Sequence, residues 1–272
     1  MKILLFCFGI LLGSFMTAAH AETRTLCTIV LNAENGARLI EEGDCESRMS
    51  PASTFKIAIS LMGYDAGILE DASSPVLPFK KGYVDWRPNW RKATSPRTWM
   101  RDSVVWYSQQ ITTRLGDKRY AAYVKAFGYG NEDVSGDPGK HNGLTAAWLS
   151  SSLQISSVEQ VTFLRKLTRG ELPVSAEAVQ HTAEITDYGR QPAGWQVHGK
   201  TGAGLPRSAD GALLRGQPFG WFVGWAEKDG RTVVFARLIQ DSRRQSSPPG
   251  FRARDGILKD LFTNPAALDQ AF

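Results

Sequence analysis

The β-prone segments of this chain sit only at its two ends, and the stretch between them reads as helix. Residues 25–31 and 37–40 alternate and favour strands around Asn35-Gly36, a strong hairpin signal. Residues 194–202, 219–226 and 232–240 are apolar and β-prone, with Lys228-Asp229-Gly230 as a turn between the last two. A final helix is expected over 253–262, with Ile257, Leu258, Leu261 and Phe262 on one side. Strands, then helices, then strands and a helix argue against alternating βαβ units. The expected fold is α+β, an antiparallel sheet flanked by helices with a mostly helical subdomain.

In the helical middle, Ser50 is positioned to cap a helix that has Pro51 at its first position. Phe55, Ile57, Ala58, Ile59, Leu61 and Met62 make that helix apolar almost all round, so it should be buried, with Gly67 closing it. Residues 83–90 read as an aromatic loop. A helical pattern over 98–115 breaks near Asp102-Ser103, where short polar side chains favour a turn. A helix over 118–127 follows Asp117, and 130–143 is loop. Ser157 with Gln160 matches a capping box that opens a helix through Leu167, and Ser175 caps another through Ile185.

The first 21 residues have a different character. Met1-Lys2, an apolar run over 3–12 and Ala19-His20-Ala21 read as a cleavable secretory signal. Residues 22–272, 272 − 21 = 251 of them, then suffice for a single catalytic domain. No second apolar span follows, so no membrane insertion is expected after cleavage. Without Lys2 the formal charge is 31 − 27 = +4, and Arg243, Arg244, Arg252 and Arg254 cluster late in the chain. No basic stripe interleaves with aromatics, which argues against nucleic acid as a partner. The exported chain keeps two cysteines. A two-residue turn at Asn35-Gly36 pairs positions that sum to 71 and sets Cys27 opposite Asp44. One bulge would bring Cys45 alongside, for a disulfide worth roughly 3 kcal/mol. Two unbridged thiols remain the alternative.

H-E-x-x-H, paired C-x-x-C and G-x-S-x-G are all absent, so neither a zinc protease nor an α/β-hydrolase elbow has an anchor. His141, His181 and His198 sit in no recognisable catalytic setting. Ser53-x-x-Lys56 is more informative for its position than for its spacing. Twenty-one serines and twelve lysines in 272 residues give about one such spacing by chance. Ser53 lies in the first turn of a buried helix, where free N–H groups favour developing negative charge. Lys56 lies one turn on, and an apolar setting lowers a lysine pKa from its usual value of about 10.4. A neutral amine there can act as a base or react with an electrophile. Lys200-Thr201-Gly202 falls in a predicted strand, suited to hold a substrate carboxylate with close backbone approach at Gly202. Ser103-Val104-Val105 falls at the helix break.

These three elements, in this order, resemble a class D serine β-lactamase of the oxacillinase type over essentially all of residues 22–272. Tyr129-Gly130-Asn131, Trp148, Leu153-Gln154-Ile155-Ser156 and Gly220-Trp221-Phe222-Val223-Gly224-Trp225 extend the resemblance. It implies hydrolysis of penicillin-type β-lactams, resistance to them, and a periplasmic location. It implies Ser53 as nucleophile and Lys56, carboxylated by carbon dioxide or bicarbonate, as general base, with no metal and no other cofactor. Val105 and Leu149 would wall that group, with Trp148 giving it an indole N–H. Ser103 would relay a proton to the leaving nitrogen. Lys200, Thr201 and an arginine would hold the substrate carboxylate, beside Gly202, and the N–H groups of Ser53 and Ala203 would form the oxyanion hole. Placing Ile257 and Leu261 on the core face of the last helix favours Arg254 over Arg252 for the arginine. The same motifs also occur in D,D-peptidases and in β-lactam sensor domains, which are acylated without turnover.

Overall fold

The computed structural model describes residues 22–263 and Leu268, so the expected signal segment 1–21 lies outside the described residues. Six strands form one antiparallel sheet: β1 (Thr23–Asn32), β2 (Arg38–Gly43), β3 (Asp187–Arg190), β4 (Gln196–Gly204), β5 (Phe219–Lys228) and β6 (Arg231–Asp241), in the order β2-β1-β6-β5-β4-β3. The two ends of the chain therefore meet in the sheet's centre, where β1 pairs with β6. The helices are α1 (Lys56–Asp65), α2 (Pro96–Asp102), α3 (Val105–Phe127), α4 (Gly143–Ala146), α5 (Ser157–Thr168), α6 (Ala176–Ile185) and α7 (Pro249–Phe262). Together they give the α+β architecture that the segregation of elements predicts.

Both faces of the sheet are covered, which is why Gly220–Trp225 reads as an unbroken apolar run rather than an alternation. Trp221, Val223 and Trp225 of β5 face the larger core under α1, α3 and α5, while Phe222 and Ala226 face the smaller core built with Ile257, Leu261 and Phe262 of α7. Lys56 through Tyr64 of α1 are all buried, as its all-round apolar character requires.

The hairpin differs from its expected register. Asn32 N–H donates to Ala37 O, leaving residues 33–36 as a four-residue connection, and Cys27 faces Gly43 rather than Asp44. The Asn32 side chain is the cause: its Oδ1 accepts from the N–H groups of Glu34 and Asn35 and holds the longer loop. Cys27 and Cys45 are nonetheless joined by a disulfide, their Cα atoms 5.0 Å apart. The capping box is also displaced by one residue. Ser156 and Glu159 form it, and Gln160 is buried, donating instead to Thr54 Oγ1. Ser50 caps nothing; its hydroxyl donates to Trp148 O and accepts from Ser150 N–H. Ser175 caps α6, and Ser103 in a left-handed conformation ends α2, both as expected. Gly116 kinks α3 between the two expected helices, 98–115 and 118–127. The strand β3 has no apolar alternation in its sequence and was not expected.

Candidate active site

Ser53 sits in a 3-10 turn, Ala52–Phe55, that leads into α1. The turn is pinned at Thr54, whose N–H and hydroxyl both donate to Pro51 O. Lys56, the first residue of α1, is fully buried, and its Nζ lies 3.2 Å from Ser53 Oγ. Among the described residues no carboxylate pairs with it. Burial pushes its pKa well below the lysine range, and the charges of Lys200 and Arg87 push it further. Ser53 therefore has within hydrogen-bonding reach an amine whose charged form is disfavoured.

Trp148 is the second unusual group in the same core. Its ring packs on Phe55 at 5.9 Å and is wholly buried, yet its Nε1 has no hydrogen-bond partner among the described residues. Buried donors are almost always paired, because an orphan costs about 1–3 kcal/mol. The loop that carries Trp148 is clamped by Asn131, which accepts from Gln154 N–H and donates to Ser152 O. At Gly130 a Cβ would stand 2.1 Å from Gln154 O, so Tyr129-Gly130-Asn131 is bound to that loop by close backbone approach. Val105 and Leu149 line the cleft that Ser53 opens into, with about 280 Å³ of space, and Ser103 lines it too.

The other wall is β4. A Cβ at Gly202 would meet Pro51 O at 2.9 Å and Thr54 Cγ2 at 3.0 Å, so glycine is what lets the strand lie against the Ser53 turn. Gly199 N–H donates to Thr186 O, toward β3. By the two-residue repeat of a strand, Thr201 and Ala203 point their N–H groups the same way. The β3–β4 pairing ends at His198, so those groups face the cleft that both residues line. Lys200 is buried, with its Nζ 3.1 Å from Thr201 O. Burial, then Arg87, then Arg254 lower its pKa to about 7.

The two candidate arginines are each ion-paired, Arg254 with the neighbouring Asp255, and differ in what else they meet. Arg252 is bound to Asp241 and to Ser247. Arg254 stands over the rings of Phe251 at 4.9 Å and Tyr188 at 5.9 Å, lines a second cavity with Lys200 and Thr201, and makes its charge felt at Lys200. Tyr188, on the unexpected strand β3, lies under Arg254 and lines the same cavity as Thr201. The sequence reading missed it, along with Arg87, which lines the cleft. His198 stacks on Trp225 and bonds to Ala183 O, while His181 stacks on Tyr64; neither lines the cleft. Among the described residues no cluster of three metal-ligating side chains occurs. The set as it stands brings together two hydroxyls, a buried amine whose charged form is disfavoured, and a strand edge with free N–H groups beside cations.

Comparison with known proteins agrees with this geometry. The profile of the penicillin-binding-protein transpeptidase domain matches residues 26–263. The chain is 48% identical over 248 residues to β-lactamase OXA-9 of Klebsiella pneumoniae, covering 90% of each chain. It is 37% identical to β-lactamase OXA-1 of Escherichia coli, over 87% of this chain and 84% of that one. The crystal structure of the OXA-427 class D β-lactamase superposes with a TM-score of 0.85 at 47% identity, over 90% of this chain and 99% of that one.

Proposed function

The chain belongs to the class D β-lactamases, serine hydrolases, and from that premise we propose that it opens the ring of penicillin-type β-lactams through an acyl-enzyme on Ser53, with carboxylated Lys56 as the general base. The observation that carries this reading is the pair of incomplete groups in one core: a buried lysine without a counter-ion and a buried indole N–H without an acceptor. The residues present fit a carbamate on Lys56. Burial favours the neutral amine, the form that reacts with carbon dioxide, Trp148 Nε1 has a hydrogen bond to give, and Val105 and Leu149 keep the surroundings apolar. Once formed, that group supplies an anionic base beside Ser53 Oγ, for the hydroxyl and then for the hydrolytic water.

The remaining roles belong to the chain's own groups. Ser53 Oγ gives up its proton as it attacks the lactam carbonyl. The N–H groups of Ser53 and Ala203 receive the developing oxyanion, each such donor contributing typically about 2.7–4 kcal/mol. Ser103 passes a proton to the ring nitrogen as the C–N bond breaks. Thr201, Lys200 and Arg254 hold the ring carboxylate, and Gly202 keeps β4 close enough for them to reach it. Water then attacks the acyl-enzyme and frees Ser53. Export by the segment 1–21 to the periplasm, and resistance to β-lactams there, complete the reading.

The test is steady-state hydrolysis of a chromogenic cephalosporin by residues 22–272, with and without bicarbonate, alongside intact mass after exposure to penicillin. Turnover that rises with bicarbonate and a transient mass gain are expected. A permanent acyl adduct without turnover would replace this reading with that of a β-lactam sensor.

A further inference from the structure

The loop that carries Arg87 is a built surface that the proposed hydrolysis leaves unused. Arg87 stands in extended conformation just before the 3-10 turn Pro88–Trp90, and its guanidinium lies 5.8 Å from the centre of the Trp90 ring. Trp86 beside it is 66% exposed, an unusual position for the largest apolar side chain, and tilts against Trp90 at 6.0 Å. Asn89 lines the same cleft as Trp86, Arg87 and Ser53.

Several cations near this loop have a carboxylate partner. Arg91 pairs with Asp85, and Lys92 and Arg101 share Asp102. Arg87 pairs with no carboxylate among the described residues. It is also close enough for its charge to act on both Lys56 and Lys200. Its charge disfavours the protonated forms of both lysines in the free protein, and an anionic ligand on Arg87 would relieve that effect.

The ring carboxylate of a β-lactam is already assigned to Thr201, Lys200 and Arg254 on the β4 wall. The acylamino side chain leaves the ring from its other side, so a different wall must receive it. An exposed indole, a carboxamide and an unpaired guanidinium match an aryl group, an amide and a carboxylate. We propose that Arg87, lining the cleft beside Trp86, selects β-lactams whose acylamino side chain bears a second carboxylate. The proposal rests on the hydrolytic reading of the site. Arg87 forms a charge-assisted pair with the side-chain carboxylate, and Trp86 covers the adjoining aryl group.

Benzylpenicillin and α-carboxybenzylpenicillin differ by that one carboxylate, so the ratio of their kcat/KM values isolates it. In Arg87→Gln the ratio (carboxylated over plain) is expected to fall about five- to tenfold, mainly through KM, and Arg87→Lys should restore part of it. Raising the salt concentration should lower the ratio for the parent and leave it unchanged for Arg87→Gln, because an exposed pair is screened. A ratio unchanged in Arg87→Gln overturns the proposal. So does an equal change for both penicillins, which would mean that Arg87 acts only through Lys56 and Lys200. Failure to hydrolyse benzylpenicillin by the parent protein would be a failure of the hydrolytic reading, and it is read in the same experiment.

Discussion

Replacing Trp148 by phenylalanine should move stability and activity by very different amounts. In the unmodified protein the indole N–H is a buried donor without a partner, a burden of about 1–3 kcal/mol that phenylalanine removes. Against this stands the lost packing of two ring carbons, roughly 1.6 kcal/mol at about 0.8 kcal/mol each. The two nearly cancel, so the melting temperature should shift by only a few degrees in either direction. Activity has no such compensation. If the N–H donates to a carbamate on Lys56, the variant loses a charge-assisted bond of about 1.5–3 kcal/mol, which weakens carboxylation roughly 10- to 150-fold. The assay is cephalosporin turnover titrated with bicarbonate. The half-saturating concentration should rise by that factor, and turnover at saturating bicarbonate should approach the parental value. A variant whose bicarbonate dependence matches the parent would refute the argument, since the orphaned N–H would then have no role in holding the group.

Lys56→Ala should stay folded by circular dichroism, because it removes a buried amine without stranding a counter-ion, while turnover falls at least about 10³-fold; parental turnover would remove Lys56 as the base. Lys200 holds the ring carboxylate only when protonated, so kcat/KM should fall as pH rises through about 7, and Lys200→Arg should abolish that alkaline limb. Its contribution to stability has the opposite sign: with a folded pKa near 7 against an ordinary 10.5, the unfolded chain binds more protons between those values. Stability from this group therefore rises over that window, which urea midpoints at pH 7 and pH 9 can check against Lys200→Met. Removing the disulfide, which spans 18 positions, by Cys27→Ser with Cys45→Ala should lower stability by about 3 kcal/mol. That is roughly 6–12 °C in Tm for a chain of this size, with kcat near parental below the transition.

The parts of the site legible in the sequence are those that express themselves as local pattern. An all-round apolar helix beginning at Lys56 forces that lysine into the core, and burial then disfavours its charged form. Gly202 was readable because close approach of backbone leaves only glycine. The hairpin showed that Cys27 and Cys45 could meet, although its register was wrong: the Asn35-Gly36 signal was outweighed by one asparagine side chain bonding its own loop. Ser157-Gln160 and Ser156-Glu159 are equally good capping pairs on paper, and only the contact of Gln160 with Thr54 decides between them. Tyr188 and Arg87 were illegible for another reason. Each matters through what lies across the cleft, and neither sits in a repeating pattern.

The shortness of β3 has a cost and a use. Its pairing covers Gln196 to His198 of β4, and the rest of that strand has no paired strand on that side. A bare strand edge is ordinarily a hazard, since another chain can add to it. Here the bare stretch is confined to the cleft, between the Ser53 turn and the start of α7, where an extended strand has little room. Lengthening β3 by three or four residues would make a more regular sheet, and it would also spend the Ala203 N–H on a neighbouring carbonyl. In the proposed mechanism the incomplete ladder is the reagent: the oxyanion takes a hydrogen bond that the fold declines to make with itself.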